Sequence, residues 1–447
     1  MRMMKKLTVH GLTLAFAIAL AIVSTMRDSA AQPIRMNIVG PGAELWPIAV
    51  SGLKTQGGDD VSRIANDFTG TLRRDLEISG YFRLIDPHAY IEDPQTSGYE
   101  LGQFNFADWK SINADFLVKG SIAKADSGLK VSAYLFDVAQ QRLMMGKNFT
   151  GDADDVPQMA RRFADAILKS ATGQRGPFDS KLAFVSNAGG RFKEVYTQPL
   201  DGRSMFKLTD NPTINLFPSF DRSAHHLLYL SYKTMAPALY LADLKAQTEA
   251  RLDSPHGRVI GGTISPDGER VVAAIERDGT TNLYLLTSAG AEIRRLTDTN
   301  GINVSPSFSP DGHTLAFTSD RSGTPQIYLM DSGGGSPRRV TFKGDYNTTP
   351  AFSPKGDRLA YQSRASGRFD IWTIAVGGGD PEQLTDGNGS NEYPSWSPDG
   401  RYIAFSSTRA RRSRIYIMMV SNRKIISALT EGKGDDSCPA WSWWLDE

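Results

Sequence analysis

The C-terminal part of the chain consists of six copies of a unit 44 residues long. In one copy, the segments P-S-F-S-P-D-G at Pro306, L-A-F-T-S at Leu315 and I-Y-L-M-D at Ile327 precede a V-T pair. The L-A-F-T-S segment has relatives that begin at Leu182, Leu227, Val271, Leu359 and Ile403. Four apolar runs per unit, separated by S-P-D-G and glycine-rich turns, are typical of one four-stranded blade. The repeat therefore predicts an all-β six-bladed propeller.

The phase of the repeat indicates how the ring closes. The first unit begins at Leu182 and lacks the P-S-F-S strand that opens the other units. The last relative of that strand, P-A-W-S-W-W from Pro439, has no unit after it. We therefore expect the C-terminal strand to complete the first blade, which closes the ring and leaves only short, protected sheet edges.

The N-terminal segment has the features of a secretory signal peptide. A basic start, M-R-M-M-K-K, precedes an apolar run and the small residues Ser29, Ala30 and Ala31. Cleavage after Ala31 would release an exported protein, in a bacterium to the periplasm, and no later segment approaches the ~20 apolar residues of a membrane span. The predicted parts are a signal peptide (1–31), a mature arm (32–42), an α/β domain (43–175) and the propeller (176–447).

Residues 33–175 lack the repeat and predict a small α/β sandwich. Apolar residues recur at helical spacing over Ser62–Ile78 and again over Asp154–Lys169. A short helix is expected over Phe106–Ile112. About five strands are expected, including R-M-N-I-V, L-W-P-I-A-V and a hairpin with its turn at D-S-G.

Charge and cysteine content exclude several classes of protein. The chain has 50 basic and 49 acidic residues, and from Gln32 onward it has 46 and 48. This balance argues against a nucleic-acid partner, although Arg409–Arg414 (R-A-R-R-S-R) forms either a local basic patch or a solvated loop.

One cysteine excludes an intrachain disulfide, and Cys438 is interpreted as a small buried residue, with a reactive thiol as the alternative.

No catalytic or metal-binding motif stands out. The six histidines are scattered, and the sequence contains no G-x-S-x-G, H-E-x-x-H or paired C-x-x-C motif. The loop Thr385–Glu392 is rich in oxygen ligands but lacks calcium-loop spacing. We therefore expect a protein that is not an enzyme and that has no cofactor and no metal.

A binding surface is expected on one face of the propeller. The S-P-D-G and G-G-G turns share one face, and the more variable loops before each inner strand share the other, which we call the rim face. Aromatic, amide and charged residues of both signs near the channel fit a protein partner better than a small molecule. The candidate rim residues are Asn215, Phe217, Arg258, Asn303, Val304, Tyr346, Asn347, Glu392, Tyr393, Asp435 and Asp436.

A second candidate site is the mature arm, Gln32–Gly42. Its sequence, Q-P-I-R-M-N-I-V-G-P-G, is short and alternating, and it could add as a strand to the sheet edge of a partner. The alternative is that it forms the first strand of the α/β domain.

The order of these parts, with the six repeats and the C-terminal P-A-W-S, resembles the TolB family, periplasmic components of the Tol–Pal envelope system. The resemblance covers the whole chain and implies a non-enzymatic, monomeric adaptor. It implies that the propeller binds Pal, the peptidoglycan-associated lipoprotein, and that the arm binds the C-terminal domain of TolA. The implied role is maintenance of the outer membrane and its constriction during cell division.

By position, the resemblance places Pal contacts at Arg258, Gly261 and Val304, and TolA contacts at Gln32, Pro33, Ile34, Arg35, Met36, Asn37 and Ile38. Val304 departs from the polar residue expected there, and Gly262 replaces the proline of the repeat. The alternative function is an exported propeller that accompanies a peptide or sugar hydrolase. A purely structural scaffold is a third possibility.

Overall fold

The computed structural model describes residues 45–125, 127–252, 257–365 and 367–445. The predicted signal peptide (1–31), the arm (32–42) and the predicted strand R-M-N-I-V lie outside these ranges. Within them, no helix combines the length and the apolar character that a membrane crossing requires.

The N-terminal domain is one mixed sheet with its two long helices on one face. The strands are β1 (Trp46–Val50), β2 (Lys54–Gln56), β3 (Phe82–Leu84), β4 (Phe116–Lys124), β5 (Leu129–Asp137) and β6 (Arg142–Gly151), and the helices are α1 (Asp59–Ile78), α2 (Phe106–Ser111) and α3 (Val156–Thr172). The sheet order is β3-β1-β4-β5-β6, with β2 paired to β4. The long amphipathic helices and the hairpin agree with the sequence. Strands β2 and β6 are additional, and the mostly exposed edge position of β6 explains its weak apolar pattern.

The opposite face of this sheet is covered by the segment that contains α2. Trp109 and Phe106 pack on Phe136, and Lys119 is buried there. The Lys119 ammonium donates to Glu92 Oε2 at 2.6 Å and to Ser97 Oγ at 3.0 Å. A buried charge requires such partners, so this ion pair fixes the long connection against the sheet.

The predicted six-bladed propeller is confirmed, with four antiparallel strands in each blade. Blade 1 contains β7 (Ser180–Ser186), β8 (Glu194–Pro199) and β9 (Phe206–Lys207); blade 2, β10 (Asn215–Phe220), β11 (His226–Thr234), β12 (Ala236–Asp243) and β13 (Thr248–Leu252); blade 3, β14 (Arg258–Ile264), β15 (Arg270–Arg277), β16 (Thr280–Thr287) and β17 (Glu292–Arg295). Blade 4 contains β18 (Asn303–Phe308), β19 (Thr314–Ser319), β20 (Gln326–Asp331) and β21 (Arg338–Arg339); blade 5, β22 (Asn347–Phe352), β23 (Arg358–Ala365), β24 (Arg368–Ala375) and β25 (Glu382–Gln383); blade 6, β26 (Asn391–Trp396), β27 (Tyr402–Ser407), β28 (Arg414–Met419) and β29 (Lys424–Ala428).

The C-terminal strand closes the ring, as the phase of the repeat predicts. Strand β30 (Asp436–Trp444) pairs antiparallel with β7 and is the inner strand of blade 1. Trp441 anchors it, since its indole Nε1 donates to Ser180 Oγ at 2.8 Å. The two ends of the propeller therefore stabilise each other through a sheet rather than through a loop.

The two domains share one hydrophobic core. Leu72 and Leu76 of α1 and Phe163 of α3 belong to the same buried cluster as Tyr402 and Ile417 of blade 6. The Tyr402 hydroxyl donates to the carbonyl of Ser79, just after α1, at 2.7 Å.

The S-P-D-G side of the propeller makes these contacts. Arg401, which follows the S-P-D-G turn of blade 6, donates to the carbonyl of Arg175 at 2.6 Å and to Thr172 Oγ1 at 3.0 Å. Among the described residues, the N-terminal domain therefore approaches the propeller from this side and leaves the rim face open.

Candidate functional site

The rim end of the central channel is lined by residues in an unusual backbone conformation. The inner strands are β10, β14, β18, β22, β26 and β30. Five of them carry a residue with positive φ, between 51° and 55°, directly before a proline: Phe217, Ser305, Thr349, Tyr393 and Cys438. Each such strand also shifts its register against its neighbour at this point. Non-glycine residues at positive φ are uncommon, cost about 1–3 kcal/mol each, and cluster at functional sites.

Blade 3 interrupts this five-fold pattern. Its inner strand carries Gly261 and Gly262, neither of which has positive φ. A Cβ on Gly262 would lie 2.8 Å from the carbonyl oxygen of Val272 and 2.9 Å from Leu239 Cδ1, so no side chain fits there. The preceding Gly261 lines the channel mouth without a side chain, which leaves an indentation at blade 3 beside the ring of Phe217.

The channel mouth holds a cavity of about 380 Å³ lined mainly by apolar groups. The rings of Phe217 and Tyr393 lie 6.2 Å apart, and Ile260 and Val304 contribute to the wall. Burial raises the pKa of the Cys438 thiol to about 11 and raises the pKa of Tyr393 above its ordinary value. Both groups are therefore neutral at pH 7, and the mouth suits an apolar insertion more than a charged one.

The described residues contain no group of three or more His, Cys, Asp or Glu side chains placed to hold a metal ion. Cys438 is buried, in agreement with its interpretation as a small core residue. A buried thiol with a raised pKa is a poor nucleophile. The described channel mouth thus offers surface for binding, and we find no arrangement there that would perform chemistry.

The asparagines among the predicted rim residues have a different position. Asn215, Asn303 and Asn347 have no exposed surface. Each begins an inner strand and donates to the third strand of the preceding blade: to Glu194 Oε2 at 2.8 Å, to Asn282 Oδ1 at 3.3 Å and to Gln326 Oε1 at 2.8 Å, respectively. We call these contacts the blade latches.

Asp436, another predicted rim residue, occupies the same position in blade 1. It is buried, and its carboxylate lies 3.4 Å from the Arg414 guanidinium. An ion pair therefore stands here in place of the amide hydrogen bond of the blade latches. The expectation that these four side chains face a partner does not fit their burial, because the three amide nitrogens and the Asp436 carboxylate are engaged between blades. Their regular recurrence reflects the construction of the ring.

The other predicted rim residues do reach the surface. Arg258 and Asp435 are exposed, and the partly exposed residues are Phe217, Gly261, Val304, Tyr346, Glu392 and Tyr393. They surround the channel mouth on the rim face. The predicted arm residues Gln32, Pro33, Ile34, Arg35, Met36, Asn37 and Ile38 lie outside the described part of the chain.

Several residues of the rim face were not predicted from the sequence. Ser305 and Thr349 line the channel mouth at the position of Phe217 and Tyr393, and the pre-proline position of the repeat could have identified them. Exposed apolar residues also occur in the rim loops: Met235 is 98% exposed, and Ile214, Ile302 and Phe342 are at least 44% exposed. Single apolar residues in variable loops carry no periodic signal, so only the structure reveals them.

Comparison with known proteins gives the family. A family model described as the TolB beta propeller domain matches residues 168–445, and one described as the TolB amino-terminal domain matches residues 34–144. The Tol-Pal system protein TolB of Desulfosudis oleivorans is 36% identical over 263 residues, which cover 59% of this chain and 60% of the relative. The corresponding protein of Anaeromyxobacter dehalogenans (strain 2CP-1) is 33% identical over 292 residues, 65% of each chain. The matched part thus spans about three fifths to two thirds of these relatives.

Solved structures agree with the fold. The crystal structure of TolB from Acinetobacter baumannii matches with a TM-score of 0.77 at 26% identity, covering 90% of this chain and 98% of that one. Kuenenia stuttgartiensis hydrazine synthase matches with a TM-score of 0.51 at 13% identity, over 60% of this chain and 47% of that one, which indicates a shared fold only.

Proposed function

This chain belongs to the TolB family, and we propose that it acts as a non-enzymatic, monomeric adaptor of the Tol–Pal system in the periplasm. Its propeller binds Pal through the rim face, and its arm, Gln32–Gly42, binds the C-terminal domain of TolA. Together these contacts support outer-membrane integrity and constriction during division. Membership of the family supports this proposal, because its relatives are components of the Tol–Pal system.

The proposal rests on the channel mouth, which is open on the rim face and lined by residues in a strained backbone conformation. The N-terminal domain packs on the other side, so the rim face is accessible. Its partly exposed aromatic residues and the indentation at Gly261 offer an anchor and a pocket, which are the usual centre of a protein–protein interface. Exposed charges such as Arg258 and Asp435 then form a polar border.

The arm supplies the second contact of the proposed adaptor. A short segment with alternating apolar residues can add to the sheet edge of a partner through its backbone. If the arm can also dock on its own protein, binding at the rim face would bias its position and couple the two partners. Removal of residues 32–42 should abolish TolA binding in a pull-down and leave Pal binding intact. Unchanged TolA binding would refute this role of the arm.

Calorimetric titration of the chain from Gln32 to Glu447 against the soluble domain of Pal tests the rim face. We expect Arg258→Glu and Tyr393→Ala to weaken binding at least about tenfold, each a loss near 1.4 kcal/mol. Arg294→Glu is the matched control, because Arg294 is an exposed arginine of the same blade that contacts the carbonyl of Gly333 in a G-G-G turn. Circular dichroism should verify that every variant is folded. Absence of binding by folded wild-type protein would refute the adaptor role.

A further inference from the structure

Three rim-face connections meet where blade 6 joins blade 1. They are residues 187–193 between β7 and β8, 408–413 between β27 and β28, and 429–435 between β29 and β30. The Asp435 amide donates to Asn187 Oδ1 at 2.8 Å, and the Ser413 amide donates to Asp435 Oδ1 at 3.1 Å. Gly189 also packs closely on Lys433. These contacts make the three connections one continuous surface.

This surface carries an excess of exposed positive charge. Its exposed cations are Arg191, Lys193, Arg411, Arg412 and Lys433, which we call the seam cluster. Its exposed acids are Glu431 and Asp435. The Arg412–Asp435 pair is 4.0 Å apart with both side chains about half exposed, so it neutralises little. The whole chain is nearly neutral, which makes this local excess distinctive.

The arginine-rich loop is held in place by arginines other than those of the seam cluster. Arg409 donates to Asn391 Oδ1 at 2.8 Å, and Arg414 contacts Asp436 and the carbonyl of Gly434. Arg411 and Arg412 lie between these two anchors and are exposed. Arg411 and Arg412 are therefore not explained by a role in holding the loop in place.

The opposite side of the rim is balanced in charge, because its acids are matched by the exposed arginines Arg258, Arg277 and Arg295. The rim end of the β15–β16 hairpin carries Glu276, Arg277 and Asp278, and Arg277 lies 3.4 Å from the neighbouring Asp278. In the following connection, Asp298 lies 2.7 Å from Arg295. The rim face is thus electrostatically asymmetric, with its positive side at the seam.

The seam cluster also adjoins the channel mouth. Asp435 is followed within three residues by Cys438, which lines the channel. A partner seated on the mouth would have one edge over the seam cluster. Surface charge near an interface chiefly raises the association rate and fixes the orientation of the partner.

We propose that the seam cluster binds an acidic segment of the protein that docks on the channel mouth, and thereby sets the orientation and the salt dependence of that complex. The inference rests on the proposed function and identifies the chemistry of the partner's edge. Three of the five cations are arginines, whose planar guanidinium groups match carboxylates. The position beside the mouth favours a protein segment over an anionic lipid surface.

The test is stopped-flow association of the chain Gln32–Glu447 with the soluble domain of Pal, at low and at high salt. We expect Arg411→Glu with Arg412→Glu to slow association about tenfold or more at low salt, to leave dissociation nearly unchanged, and to lose its effect at high salt. Arg277→Glu, on the same face at the opposite side of the ring, is the matched control. Unchanged thermal midpoints should exclude misfolding.

The possible outcomes separate the seam inference from the proposed adaptor role. If wild-type protein binds and the double variant associates at the same rate with the same salt dependence, the seam inference is wrong and the adaptor role stands. If wild-type protein does not bind, both fail. Wild-type binding to phosphatidylglycerol vesicles that the double variant loses, with unchanged association to Pal, would assign the cluster to a lipid surface and overturn the inference.

Discussion

At the scale of single residues, Asp75 is a carboxyl group whose burial no hydrogen bond offsets among the described residues. It lies in α1 at the domain interface with no exposed surface, and neither carboxylate oxygen has a hydrogen-bond partner among the described residues. Burial raises the pKa of Asp75 well above its ordinary value; nearby Asp201 and Asp165 raise it further, and Arg161 and Arg203 oppose the shift. Burial also raises the pKa of Asp165 to about 7. The interface therefore favours protonated carboxyls.

The raised pKa predicts how Asp75 affects stability as the pH changes. The folded pKa lies above the unfolded value of about 3.9, so the stability contribution is full below pH ~4 and is lost as the pH rises through the folded pKa. Asn at this position cannot ionise. We expect Asp75→Asn to match wild-type stability near pH ~4 and to exceed it by about 1–3 kcal/mol near pH ~8.

Urea unfolding at several pH values measures this difference. Asp67→Asn is the control, because Asp67 is an exposed carboxylate on the same helix. A variant that is less stable than wild type at every pH would show that the Asp75 carboxylate is stabilised by partners after all.

At the scale of elements, the blade latches join the inner strands of blades 2, 4 and 5 to the blade before each of them. In the latch at Asn303, the Nδ2 group donates to the carbonyl of Thr281 at 2.9 Å and to Asn282 Oδ1, which also accepts from Thr297 Oγ1 at 3.0 Å. Thr297 belongs to the apolar–Thr pair of the repeat. We expect Asn303→Ala to destabilise the propeller by about 1–3 kcal/mol, because it leaves buried acceptors without donors.

Thermal unfolding followed by near-ultraviolet circular dichroism would measure the loss. Asn388→Ala, in an exposed loop of the same face, should leave the melting temperature unchanged. Equal stability of Asn303→Ala and wild type would mean that water replaces the latch at no cost. Weaker Pal binding by a fully stable Asn303→Ala protein would instead return Asn303 to the partner-binding surface.

The sequence determined the blades and the closure of the ring because one spacing, from Leu182 to Ile403, repeats the same apolar segments. It also placed the loops before the inner strands together on one face of the propeller. It could not reveal the positive φ of Thr349 and Tyr393, since β-branched and bulky residues disfavour that conformation. Nor could it separate buried Asn303 from exposed Arg258, because the burial of an amide depends on partners about 20 residues away.

At the scale of the whole molecule, the shared core couples the two domains. The helices α1 and α3 bury apolar side chains in the same cluster as blades 1 and 6. Arg161 of α3 adds an ion pair to Asp201 of blade 1 at 3.1 Å, with both side chains buried. A contact of this kind, in which apolar packing and a buried ion pair occur together, predicts that the domains unfold as one cooperative unit.

Tyr402→Phe tests this coupling with the removal of one oxygen. Its hydroxyl donates to the Ser79 carbonyl in the buried interface, so we expect a loss of about 1–2 kcal/mol. Because the unit is cooperative, amide hydrogen exchange should accelerate by a similar factor in α1 and in β27. Tyr328→Phe is the control, because Tyr328 is a buried tyrosine of blade 4, whose packing cluster excludes the N-terminal domain. Faster exchange in β27 with unchanged exchange in α1 would show that the domains open independently and that the shared core does not couple them.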